Sequence, residues 1–129
     1  MENPSDLKYT KDHEWVRIIG DTGVIGITDY AQHSLTDIVF VELPQVGKKT
    51  EISKSMAVVE SVKSVSDVFA PVSCEVIEVN KELEGKPQLV NQEPYAKGWI
   101  AKIKILDKNQ LNQLMSKADY DNYLQTIKH

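Results

Sequence analysis

The residues best placed to do chemistry lie in the run Val59-Glu60-Ser61-Val62-Lys63-Ser64-Val65-Ser66-Asp67-Val68, nearly a palindrome about the Lys63-Ser64 bond. Folding it there sets Val62 against Val65, Ser61 against Ser66, Glu60 against Asp67 and Val59 against Val68. The alternation and the β-branched content predict two antiparallel strands, with Lys63 and Ser64 as a two-residue loop and Lys63 at the tip. An exposed primary amine can be acylated, which removes its charge and lets the lengthened side chain lie on apolar surface. Two features are unusual for a purely structural hairpin. A two-residue loop favours Asn-Gly or Gly-X because of positive φ, yet this apex holds a long cation and no glycine. Glu60 and Asp67 would also be like charges in direct opposition, a cost that hints at recognition by another molecule. Solvated lysines are common at turns, so these residues alone leave a structural and a functional lysine both open.

The remaining reactive side chains form no second constellation. His13, His33 and His129 are scattered without metal-ligand spacing and are expected at the surface or in an interface. Cys74 sits in an apolar run and is expected to be a buried, inert thiol. No Gly-rich phosphate loop, nucleophile elbow or cluster of metal ligands is evident, which speaks against an enzyme.

The elements that must position Lys63 read as short strands rich in Val, Ile, Phe and Trp, over residues 15–19, 23–28, 38–43, 55–61, 65–69, 74–80 and 99–106. Gly20-Asp21-Thr22 is a hairpin loop between the first two, and Pro44 and Pro71 close two others. Thr28 is a candidate N-cap for a two-turn helix over 29–35. Residues 109–115 and 118–127 carry Leu111, Leu114, Met115, Tyr120, Tyr123, Leu124 and Ile127 at helical spacing, as helices packed on the edge of the β core. Residues 1–6 read as a loose end. A chain of 129 residues is one domain, with its core over about 8–106 and a C-terminal helical segment over about 107–127.

Charge and cysteine content narrow the setting. With 15 basic and 19 acidic residues spread along the chain, no basic stripe is available for nucleic acid. No apolar run approaches the roughly 18–20 residues that cross a bilayer. A single cysteine suits a reducing compartment, and the start Met1-Glu2-Asn3-Pro4 carries no targeting pattern. The expectation is a cytoplasmic protein, or one of the mitochondrial matrix if a transit peptide has been removed.

Several blocks, in one order, resemble the glycine cleavage system H protein family from Lys8 to about Tyr123. They are Tyr9-Thr10-Lys11-Asp12-His13-Glu14-Trp15-Val16, Gly26-Ile27-Thr28-Asp29-Tyr30-Ala31-Gln32, Asp37-Ile38-Val39-Phe40-Val41-Glu42-Leu43-Pro44 and Glu60-Ser61-Val62-Lys63. Ala70-Pro71-Val72-Ser73, Val79-Asn80, Leu89-Val90-Asn91 and Pro94-Tyr95 also fit. The resemblance implies a mainly β fold, a barrel-sandwich hybrid of two antiparallel sheets with short helices. It implies lipoic acid in amide linkage on Lys63, with Glu60 recognised during lipoylation. Its implied partners are a pyridoxal-phosphate glycine decarboxylase, a tetrahydrofolate-dependent aminomethyltransferase, FAD-containing dihydrolipoyl dehydrogenase and a lipoate-attaching enzyme, all meeting a monomeric carrier. Glu14, Asp67 and His33 are candidate contacts for the docked arm. The family usually has glycine at Cys74, at Thr36 and within 53–57, and the first of these belongs to the pattern read by lipoate-attaching enzymes.

Three rival readings are distinguishable. A biotin carrier has methionine on both sides of its lysine, whereas Val62 and Ser64 flank Lys63. A lipoyl domain of a 2-oxo acid dehydrogenase is shorter, typically has Asp before its lysine and belongs to a larger chain. An unmodified module, or a paralogue acting as lipoyl donor or regulatory target, would lack the lipoyl mass on Lys63.

Overall fold

The computed structural model describes residues 2–127 of the chain, and among them alternation of apolar and polar residues builds the seven longer of nine strands. Met1 and His129 lie outside the described residues. The strands are β1 (Lys8–Tyr9), β2 (Glu14–Ile19), β3 (Thr22–Ile27), β4 (Ile38–Glu42), β5 (Lys49–Thr50), β6 (Ser55–Ser61), β7 (Val65–Phe69), β8 (Cys74–Val79) and β9 (Ala101–Ile105). The helices are α1 (Asp29–Leu35), α2 (Glu82–Gly85), α3 (Leu89–Gln92) and α4 (Lys117–Ile127). All strand pairs are antiparallel, in one sheet of order β1-β2-β3-β9-β8-β5 and another of order β4-β6-β7. The seven expected strands are all present within two residues at either end. The two-residue strands β1 and β5 and the single turns α2 and α3 are too short for a periodic signal.

The main core takes Val16, Ile25 and Ile27 from β2 and β3, Ile103 from β9, and Val41, Val59 and Val68 from the second sheet. Each such side chain contributes about 1.5–3 kcal/mol on burial. A second cluster of Leu7, Tyr9, Trp15 and Tyr120 joins the amino-terminal segment to α4, with Tyr9 stacked on Tyr120 at 4.6 Å. Gly26 admits the Trp15 ring, which a Cβ there would meet at 2.6 Å. Trp15 Nε1 donates to both Ile27 O and Pro94 O at 3.0 Å.

Thr28 caps α1 as expected, its Oγ1 accepting from Ala31 N at 3.3 Å. Three other expectations need correction. Residues 2–6 are held rather than loose: Asn3 Nδ2 donates to Asp121 Oδ1 at 2.7 Å, Asn3 Oδ1 accepts from Tyr95 OH at 2.6 Å, and Pro4 O accepts from Tyr9 OH. Residues 109–115 do not form an α-helix. A 3-10 turn, Lys108–Gln113, ends at an extended Leu114, so that Met115 and Tyr9 exchange two backbone hydrogen bonds at 2.8 Å. His13 is half-buried rather than at the surface. Its Nδ1 shares a hydrogen with Tyr120 OH at 2.8 Å, Tyr120 OH meets Thr28 Oγ1 at 2.8 Å, and the imidazole lies 4.4 Å from the Tyr30 ring.

Thr36, where a glycine is expected, and Ser53, in the stretch 53–57 where one is expected, both take positive φ. Thr36 has φ 64° and ψ −149°, and Ser53 has φ 69°. Such conformations cost about 1–3 kcal/mol for a residue with a Cβ. Cys74 is different, since its side chain is fully buried in β8 between Thr50 and Ile105 and burial pushes its thiol up to about 11. Cys74→Gly should therefore lower unfolding free energy by about 1.5–3 kcal/mol, from a lost buried group and a flexible strand residue. Urea denaturation followed by tryptophan fluorescence measures it.

Candidate functional site

The hairpin forms, but its register is shifted from the palindromic one. Glu60 pairs with Val65, Val59 with Ser66, Val58 with Asp67 and Ala57 with Val68, and Ser61 N donates to Ser64 O at 2.8 Å. The tip is consequently Val62-Lys63. The reason is the Ser61 hydroxyl, which accepts from Lys63 N at 3.3 Å and Ser64 N at 3.1 Å and lies 3.2 Å from Ser64 O. A serine side chain closes the turn that glycine would otherwise have to make, and neither Val62, Lys63 nor Ser64 takes positive φ. A shift of two residues leaves every side chain on its own face.

Ala57, Val59, Ser61 and Val68 point inward, and Val58, Glu60, Val65 and Asp67 point outward. Glu60 therefore lies between Phe40 of β4 and Val65 of β7 and does not oppose Asp67. The opposed-carboxylate cost expected from the sequence does not arise. Asp67 Oδ1 accepts from Ser55 Oγ at 2.8 Å. Around the exposed Lys63, Val62 is 67% exposed and Val65 65% exposed, with Phe40 half exposed nearby in the sheet. Among the described residues no carboxylate forms an ion pair with Lys63.

Glu14, at the start of β2, is only 2% exposed and reaches the far end of β7. Its Oε1 accepts from Thr10 Oγ1 at 2.5 Å and its Oε2 from Phe69 N at 3.2 Å. Burial pushes its pKa up to about 7, against the two hydrogen bonds, and Asp12 adds to the rise. The carboxyl lines a cleft of about 260 Å³ whose walls include Asp12, Ile52, Phe69, Pro71 and Leu114. Phe69 is six residues along the chain from Lys63, about 20 Å at the rise of a strand, and Asp67 is about 13 Å away. His33 is not brought to this cleft. It is exposed near the end of α1, in a different concavity with Asp29, Lys117 and Asp121.

This geometry has counterparts in known proteins. Residues 7–127 match the family model described as glycine cleavage H-protein. The chain belongs to this family. It is 55% identical over 127 residues to the glycine cleavage system H protein of Halothermothrix orenii, covering 98% of this chain and 99% of that one. It is 52% identical over 122 residues to that of Carboxydothermus hydrogenoformans, covering 95% and 94%. The crystal structure of a glycine cleavage system H protein from Mycobacterium marinum superposes with a TM-score of 0.88 at 35% identity, over 95% of this chain and 99% of that chain. The family is one of lipoyl carriers, and the two antiparallel sheets with short helices agree with its fold.

Several residues that build the site carried no role in the sequence reading. Ser61 could have been found, because a hydroxyl two residues before a turn commonly caps it. Thr10 lies only four residues before Glu14 and Ser55 meets Asp67 across the β6–β7 hairpin, whereas Asn91 acts on a distant element and leaves no local signal.

The pKa of Glu14 makes a signed expectation. Its folded value, about 7, lies above the ordinary 4.5, so between those values the folded state holds the extra proton and stability falls as pH rises. His13, whose burial lowers its value below 6.5, acts in the opposite direction below that pH. Relative to Glu14→Gln, wild type should lose about 1–3 kcal/mol between pH 5 and 7.5. Urea titrations of both proteins across that range measure the difference.

Proposed function

We propose that this chain is a non-catalytic lipoyl carrier of the glycine cleavage system, with lipoic acid in amide linkage on Lys63. The observation that carries the reading is an exposed amine, without an ion pair among the described residues, at a hairpin tip fixed by Ser61 in a chain of this family. The chain fits the group: the amine is free to be acylated, and Val62, Val65 and Phe40 offer apolar surface beside it. When attached, lipoic acid supplies a cyclic disulfide that takes an aminomethyl group from the pyridoxal-phosphate decarboxylase, yields its carbon to the tetrahydrofolate-dependent transferase and is reoxidised by the flavin dehydrogenase.

The protein's own residues do the rest. Lys63 provides the tether, which raises the local concentration of the reacting group at each docked enzyme. Glu60, outward on the same hairpin, is read by the lipoate-attaching enzyme. Glu14 and Asp67 receive the aminomethyl nitrogen as an ammonium, because a neighbouring carboxylate raises an amine's pKa and protonation withdraws the lone pair that would expel the thiolate. A cation beside Glu14 also favours ionisation of that carboxyl, whose charged form burial now disfavours. His33, in its separate concavity, would meet the arm only through a different docking pose. The carrier acts as a monomer, and in a bacterium its setting is the cytoplasm; among the described residues no helix is long and apolar enough to cross a membrane.

Two experiments test this. Intact mass of protein from its native host should show one lipoyl increment, absent from Lys63→Arg, whose guanidinium cannot be acylated at neutral pH. With all four components, Lys63→Arg should support no glycine-dependent NADH formation while keeping its fold. Wild-type activity in that variant excludes Lys63 as the attachment site. Separately, Glu14→Ala and Asp67→Asn should shorten the half-life of the aminomethyl-loaded carrier, read as formaldehyde and ammonia release without the transferase. Half-lives equal to wild type would remove the protective role from these acids.

A further inference from the structure

The turn from α1 into β4 passes beside the hairpin tip, and its backbone is strained. Thr36 occupies a region that suits glycine and is unfavourable for a β-branched residue. Within α1, Thr36 N donates to Gln32 O at 3.0 Å, but Thr36 O and the amide of Ile38 find their partner elsewhere. That partner is one side chain, Asn91. Its Nδ2 donates to Thr36 O at 2.8 Å and to Gln32 Oε1 at 2.9 Å, and its Oδ1 accepts from Ile38 N at 2.9 Å. Asn91 can serve as a fixed point because Leu89 and Val90, its neighbours in α3, are buried in the main core.

The two backbone groups that Asn91 holds lie on either side of Asp37. Asp37 O accepts from Val62 N at 3.0 Å, and Val62 is the tip residue directly before Lys63. This bond continues the β4–β6 ladder one step beyond the pairing of Ile38 with Ser61. The Ser61 hydroxyl closes the tip from within, whereas the Asp37 carbonyl ties it to the rest of the molecule.

We propose that Asn91 is a positioning residue for Lys63: by clamping Thr36 and Ile38 it fixes the Asp37 carbonyl, which holds the hairpin tip in the orientation offered to the lipoate-attaching enzyme. The inference rests on the carrier function proposed above. Asn91 touches neither Lys63 nor Val62, so it acts only through the strained turn. Without the clamp, Thr36 relaxes toward ordinary backbone angles, the Val62–Asp37 bond is lost for part of the time, and the tip samples orientations that the enzyme does not bind.

Amide hydrogen exchange and lipoate attachment on Asn91→Ala test this. Exchange at Val62 should rise about tenfold while Val59 and Val68 in the same hairpin keep wild-type rates. The kcat/KM of attachment to Lys63 should fall about five- to tenfold through KM, with kcat unchanged, because only the fraction with an ordered tip binds. Adding Thr36→Gly, which takes these angles without strain, should return most of both losses. Unchanged exchange at Val62, acceleration shared equally by Val59 and Val68, or no rescue by Thr36→Gly would each overturn the proposal. If Asn91→Ala does not fold, Asn91→Asp, which keeps the acceptor for Ile38 and loses both donors, is read in the same way. A wild-type chain that accepts no lipoate would refute the carrier function instead, and the exchange data would still decide the role of Asn91.

Discussion

The molecule depends on the burial of one row of side chains, Ala57, Val59 and Val68, between the hairpin and the opposite sheet. That row sets which face of β6 and β7 looks inward, because side chains alternate along a strand. Everything functional is placed as a result. Val58, Glu60, Val65 and Asp67 must then face solvent, and the strands must carry their turn beyond the edge of the core, where Lys63 stands in water. A long, exposed lysine on a buried-faced hairpin separates two requirements that conflict in a single loop: reach at the amine and packing at its base.

Glu14 presents the opposite compromise. A carboxyl almost without solvent exposure is held by one hydroxyl and one backbone amide, too little to offset its desolvation. In a purely structural setting an apolar residue would stabilise the protein more. The cleft beside it is lined by apolar Ile52, Phe69 and Pro71 and by Lys11 and Asp12, one charge of each sign besides Glu14 itself. In the proposed function, the arriving ammonium would offset the desolvation of this carboxyl.

The sheet architecture was legible because alternation over five to seven residues is a strong signal, and α1 was legible from Thr28 followed by a short helical run. The hairpin was legible in kind but not in register. The palindrome weighed side-chain likeness across the strands, whereas the fold followed the Ser61 hydroxyl, a local hydrogen bond that outweighs resemblance between facing valines. Lys63, Glu60 and Glu14 are legible from the blocks they sit in, and Asp67 from its place in the hairpin beside Lys63. Of the residues around them, Thr10 meets Glu14 within four positions and Ser55 meets Asp67 once β6 and β7 pair, but Asn91 meets Thr36 and Ile38 only after distant segments have packed. His13 was misread for the same reason: its surroundings are Tyr30 and Tyr120, from two helices that nothing local connects.

The stitching of the two ends has a consequence for how the chain is made. Asn3 bonds Asp121 across 118 residues, Tyr9 pairs with Met115 and stacks on Tyr120, and β3 finds its second neighbour only in β9. A ribosome delivers residues in order, so β1 can pair with β2 early, but its bridge to Met115 and its aromatic partner on α4 exist only after the last helix is made. The nascent polypeptide therefore cannot close its six-stranded sheet or cover Tyr9 until residues 101–120 have left the tunnel, so the last steps of folding belong to the carboxyl-terminal quarter of the chain.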